Sequence, residues 1–192
     1  MRRFFIILGA LAIAAIPIAF VLLKAPAIDV KRLPRMNPTS SVFHASVEEV
    51  FSKVAGPKDA CHSLDFYPAG VSQIESITGK KLRIAEATLV TRTDHDPIGK
   101  SKVYFARGEA LDYLAEFELH LIERGEKETE VRVRTLRPEV INGKTFGFGS
   151  CGPGFANRYV AVEPTTIEEY EILLRIGQAL GEKDMPPLVL PQ

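Results

Sequence analysis

Two cysteines, Cys61 and Cys151, and three of the four histidines, His62, His95 and His120, are the side chains most able to do nucleophilic or metal chemistry. A thiol becomes a nucleophile when a neighbouring cation or a helix N-terminus stabilises its thiolate and a base stands within reach. Neither cysteine is directly followed by the start of a helix, so a Cys–His pairing has no local support. Cys151 lies in GKTFGFGSCGPGF, residues 143–155, which holds five glycines. Within it, Gly147-Phe148-Gly149-Ser150-Cys151-Gly152 spells G-x-G-x-x-G. Such a loop cradles a pyrophosphate only between a parallel strand and a helix whose N-terminus supplies N–H groups. The following residues read as a strand, and Gly152-Pro153-Gly154 fits a turn, so the stretch reads as a bend in a sheet.

Asp94-His95-Asp96-Pro97 could ligate a metal, but it is also ordinary turn chemistry, since Asp side chains bond nearby backbone. Glu116, Glu118 and His120 recur every second residue, the spacing of one face of a strand. Neither set has the ligand spacing of known metal sites. Glu109 and Asp112 come closest to a titratable group facing a sheet interior. The sequence therefore assigns no catalytic, cofactor-binding or metal-ligating residue. The pairing that remains is a disulfide between Cys61 and Cys151, expected from cysteine count and an exported location. Closing a loop of that span, about 90 residues, would stabilise by roughly 4 kcal/mol in the chain-entropy account.

The location rests on Phe4 to Leu23, FFIILGALAIAAIPIAFVLL, twenty uncharged residues between Arg2-Arg3 and Lys24. That length spans a hydrocarbon layer as a helix. Residues 1–24 read as a transmembrane anchor, with a cleaved signal as the alternative because Ala25-Pro26-Ala27 imitates an A-x-A cleavage site. A lipid bilayer is then the partner of residues 4–23. The expected location is a cell inner membrane, single-pass, with the domain facing the periplasm. Residues 25–41, spaced by Pro26, Pro34 and Pro38, read as a tether.

Charge narrows the partners further. The first 40 residues carry six Lys or Arg against Asp29 alone, leaving 18 basic and 23 acidic side chains beyond, a net charge of −5. Such a surface does not suit a phosphate backbone, and nucleic acid is not an expected partner.

The elements that would position any site follow from periodicity. Val42 to Ala45 reads as a strand, and Ser46-Val47-Glu48-Glu49 as a capping box opening a helix with Val47, Val50, Phe51 and Val54 on one face. In Leu111 to Ile122, Tyr113, Ala115, Phe117, Leu119 and Leu121 alternate with polar residues. Residues 124–127 turn the chain, and Val131, Val133 and Thr135 resume the alternation, giving an antiparallel hairpin with one wet face. Further strands are expected over 71–77, 82–91, 102–107, 140–146 and 158–163, with Asn142-Gly143 suited to a tight primed turn. After Pro164, Thr165 or Thr166 opens a second helix with Ile167, Tyr170, Leu173, Leu174, Gly177 and Leu180 on its apolar stripe. Gly181 is its left-handed cap. Residues 183–192 form a proline-rich tail.

This order, strand, short helix, some six antiparallel strands and a closing amphipathic helix, resembles the helix-grip fold of the START-like and polyketide-cyclase-like superfamily. The resemblance spans about residues 42–181 and is carried by Val42 to Val54 and Pro164 to Gly181. It implies an α+β domain, residues 42–182, in which a curved antiparallel sheet grips a long C-terminal helix around an apolar cavity. It transfers no functional residue. The expected function is a membrane-tethered extracytoplasmic domain binding an apolar small molecule, a lipid or an envelope protein. The alternative is a cyclase-like or hydrolytic enzyme using the same cavity.

Overall fold

A computed structural model describes residues 25–31, 37–55, 65–75, 82–91, 97–149 and 152–191. The chain order is β1 (Asp29–Val30), β2 (Ser40–Phe43), α1 (Val47–Val54), β3 (Phe66–Glu75), β4 (Leu82–Thr91), β5 (Gly99–Ala106), β6 (Glu109–Gly125), β7 (Glu128–Gly149), β8 (Gly152–Ala161) and α2 (Thr166–Leu180).

The β6–β7 hairpin is the spine of a single eight-stranded sheet in which every pairing is antiparallel. At its turn end β6 pairs with β4, which carries β3, and β7 pairs with β2. At its open end β6 pairs with β5, which carries β1, and β7 pairs with β8. Alternation sets which face is wet. Phe117, Leu119 and Leu121 are fully buried, as are Val131 and Leu89 on the neighbouring strands, whereas Glu118 and His120 keep partial exposure. Both helices pack against the apolar face, α1 on β4 and β6 and α2 on β7 and β2. Burial of Val47, Val50, Ile167, Tyr170, Leu173 and Ile176 holds them there. Fully burying side chains of this size is worth about 1.5–3 kcal/mol each, which outweighs the weak intrinsic stability of so short a helix as α1.

The caps are those the sequence implies. The Ser46 side chain accepts the Glu49 N–H, Thr165 accepts the Ile167 N–H, and Gly181 closes α2 with φ 81°.

Several expectations are corrected. The architecture is predominantly antiparallel sheet with two short helices, not an anchored α+β grip on a long helix. The Thr165 and Gly181 caps confine α2 to 15 residues. Among the described residues no helix is long and apolar enough to cross a membrane. The single-pass inner-membrane, periplasm-facing placement and the signal anchor are corrected on that finding, and residues 4–23, on which they rested, lie outside the described residues. The Cys61–Cys151 disulfide finds no support, both cysteines also lying outside the described residues.

Asn142-Gly143 does not turn the chain. It forms a bulge inside β7, with Gly143 at φ 80°, because the Asn142 amide is drawn inward to donate to the Pro26 carbonyl at 2.9 Å. The segments expected as separate strands over 131–135 and 140–146 are therefore one strand. The first of the weaker strands begins five residues earlier than expected, at Phe66. The glycine-rich stretch joins β7 to β8 with Gly149 opposite Gly152, strand to strand and without a helix. Asp29 and Val30, from the proline-spaced segment, add a short strand to β5.

Candidate functional site

The strongest candidate is a cavity of about 330 Å³ between α2 and the β5–β6 pair. It lies beside a local irregularity in the sheet. Lys100 pairs with Asp112 and Phe105 with Ala110, so four residues of β5 stand opposite one of β6. Buried Ser101 holds this excursion, its hydroxyl oxygen accepting the N–H groups of Val103 at 3.1 Å and Tyr104 at 2.9 Å. Such a bulge leaves ladder groups unpaired and re-aims side chains. The β5–β6 connection is tight, with Arg107 at φ 54° and Gly108 at φ 82°, the two positive values that a type I′ two-residue hairpin requires.

The cavity floor is apolar, with Ile98, Phe117 and Ile172 beside the ring of Tyr113. Its rim is charged. Lys102 of β5 forms an ion pair with Glu171 of α2, and Arg175 follows one helical turn later on the same face. Lys100 stands 2.7 Å from Asp112.

Two titratable groups sit deeper. Tyr113 is 1% exposed, and its hydroxyl has no hydrogen-bond partner. Burial raises its pKa far above the usual phenol value, with the charges of Glu168 and Glu169 adding to the effect. It is a neutral hydroxyl at any physiological pH. Burial also raises the Glu168 carboxyl, against the lowering effect of a hydrogen bond from the Thr165 hydroxyl. A carboxyl held in this way exchanges a proton nearer neutrality than a free one does.

The residues singled out from sequence fall elsewhere. His120 hydrogen-bonds to Glu86 on the face turned away from the helices, opposite Arg132 on β7. Glu116 meets Arg137 at 3.0 Å, and Glu118 lies opposite Arg134. These residues form a cross-strand charge ladder, and Glu118 and His120 line an open, mostly charged depression of about 600 Å³ with Glu130, Arg132 and Arg134. Glu109 is exposed, and together with Asp112 it borders a separate depression of about 360 Å³ near Asn142. His62, Asp94, His95 and Asp96 lie outside the described residues. Among the described residues no group of three or more His, Cys, Asp or Glu side chains is placed to hold a metal ion.

The alternation of β6 places Tyr113 among its inward residues, whereas nothing in the sequence singles out Glu168. The signal it lacked was the β5 bulge, which has no periodicity of its own. Ser101 between Lys100 and Lys102, within a run of strand formers, was the one local cue. Comparison with protein-family models, curated proteins and solved structures returns no match.

Proposed function

We propose that this domain binds a compact, largely apolar small molecule in the cavity between α2 and β5–β6. The observation that carries this reading is a half-open cavity of about 330 Å³ whose floor is aromatic and aliphatic and whose rim is charged. That volume lies at the lower end of the range for small-molecule sites, about 300–1,000 Å³, which favours a one- or two-ring ligand over a long-chain lipid. Apolar burial would supply affinity, and the rim would orient a polar end.

The test is a titration with the fluorescent probe 1-anilinonaphthalene-8-sulfonate. Fluorescence should rise saturably with one site per chain, and Ile172→Trp, which fills the cavity, should abolish the rise while circular dichroism stays unchanged. An equal rise in the filled variant would refute the reading.

A second reading, cyclase-like or hydrolytic chemistry, is favoured by Glu168, a proton-exchanging carboxyl at the same cavity. It would work there as a general acid or base. Turnover of a ligand that survives in Glu168→Gln would exclude this role.

A further inference from the structure

We propose that the outer edge of β8 pairs with the same strand of a second copy of this chain, antiparallel and about a two-fold axis at Asn157. Four strands, β1, β2, β3 and β8, pair with a single neighbour among the described residues and so lie at edges of the sheet. An exposed edge is a template for another strand, and folded proteins blunt it by shortness, proline, charge or bulges. Three of the four are blunted. β1 has two residues and β2 four, and β3 carries Pro68 and two register shifts. β8 is different. After Pro153 it runs from Gly154 to Ala161 with Arg158 as its one charged side chain, and Gly154 to Tyr159 are exposed throughout. Phe155, 66% exposed, meets the half-exposed Phe146 of β7 edge to face, with ring centroids 5.4 Å apart. The edge is therefore flanked by apolar surface that a second strand would cover.

The backbone supplies the register. The Val162 N–H donates to the Pro138 carbonyl on β7, so alternation turns the even-numbered backbone groups of β8 toward β7 and those of Phe155, Asn157 and Tyr159 outward. Asn157 is the outward residue nearest the middle of Gly152–Ala161, so an axis there engages the most strand. Asn157 then faces its own counterpart, and Phe155 faces Tyr159 of the second copy, an aromatic cross-strand pair. Arg158 falls opposite Ala156, so the one charge does not meet itself. An isologous contact of this kind uses up the edge that forms it, and association stops at the dimer.

The test is sedimentation velocity of the full chain over a concentration series, in a non-ionic detergent that keeps the apolar residues 4–23 from associating. Asn157→Pro and Asn157→Lys are run beside the wild type. The wild type should sediment as a dimer in equilibrium with monomer. Asn157→Pro removes an outward N–H and leaves the pairing with β7 intact, whereas Asn157→Lys brings like charges together at the axis. Each should raise the dissociation constant of the dimer about tenfold or more, with the circular dichroism spectrum unchanged. If the proline variant loses its spectrum, the lysine variant decides, because it keeps the backbone whole. Dissociation in either folded variant supports the pairing. A wild type that stays monomeric over the whole series or grows into open-ended assemblies, or a dimer that both variants leave intact, overturns it.

Discussion

Glu169 on α2 and Thr135 on β7 are joined twice through one carboxylate oxygen: Oε1 accepts the Thr135 hydroxyl at 2.8 Å and the Thr135 backbone N–H at 3.2 Å. Both residues are buried. A charged residue on the inner face of an amphipathic helix would ordinarily oppose packing. Here it completes the backbone hydrogen bonding of β7 and fixes the helix along the strand.

Glu169→Ala should therefore cost about 2 kcal/mol, since it leaves a buried N–H and a buried hydroxyl without their acceptor. For a chain of this size that lowers the melting temperature by about 4–8 °C. Thermal unfolding followed by circular dichroism measures it. Pairing the change with Thr135→Val should recover part of the loss, and strictly additive losses would show that the two residues do not act together.

Glu168, one residue earlier, should make stability depend on pH. Burial holds its carboxyl above the ordinary value of 4.5, so the folded state keeps the proton more tightly than the unfolded state. Below pH 4.5 both states are protonated and the contribution is complete. It is lost as pH rises through the folded pKa, because the ionised form must then sit in a poorly solvated place. Glu168→Gln stays neutral throughout. The stability of the Gln variant relative to the wild type should rise as the pH is raised above about 4.5. A flat difference in chemical denaturation across that window would contradict the burial of the charge.

The same helix shows how far the sequence could be read. Its ends were legible because caps are local chemistry: Thr165 and Gly181 do what their residue types do at any helix end. The β6–β7 hairpin was legible because strict alternation over Tyr113 to Leu121 has only one period that fits. Features set by distant neighbours were not legible. Asn142-Gly143 has the composition of a turn, yet Pro26, more than a hundred residues away, captures its side chain and the strand continues. Glu169 has the composition of a solvent-facing residue, and its two bonds to Thr135, distant in sequence, help to make its burial tolerable. The candidate cavity was hidden for a like reason, because it depends on how β5 departs from β6 beneath α2 and not on any one segment.

The tail beyond α2 is tied back to the start of the domain. The Asn37 amide donates to the Val189 carbonyl, and the Val189 N–H donates to Asn37 Oδ1, both at 2.9 Å. Asn37→Ala should loosen the tail around Val189 with little change in global melting, because Tyr170 still holds Pro186 and Met185 still packs beside Gly177. Hydrogen exchange at the Val189 amide should speed up by about tenfold or more, from the loss of a bond worth about 1–1.5 kcal/mol. Unchanged protection at Val189 would show that other contacts hold the tail.

Gly177 sets two opposing effects against each other on the buried side of α2. Replacing glycine by alanine inside a helix ordinarily gains about 1 kcal/mol. At this position a Cβ would overlap Met185 Sδ of the returning tail and stand 3.3 Å from Phe43 Cε1. Met185 is flexible and can swing away, but Phe43 is fully buried and must give by a few tenths of an ångström. Overpacking of this kind costs about 1–3 kcal/mol, so the clash should win and Gly177→Ala should lower stability by about 1 kcal/mol. Adding Met185→Ala removes the larger overlap and leaves the Phe43 contact, so Gly177→Ala should cost less in the Met185→Ala background than in the wild type. Equal losses from Gly177→Ala in both backgrounds would show that the thioether does not occupy the space above Gly177.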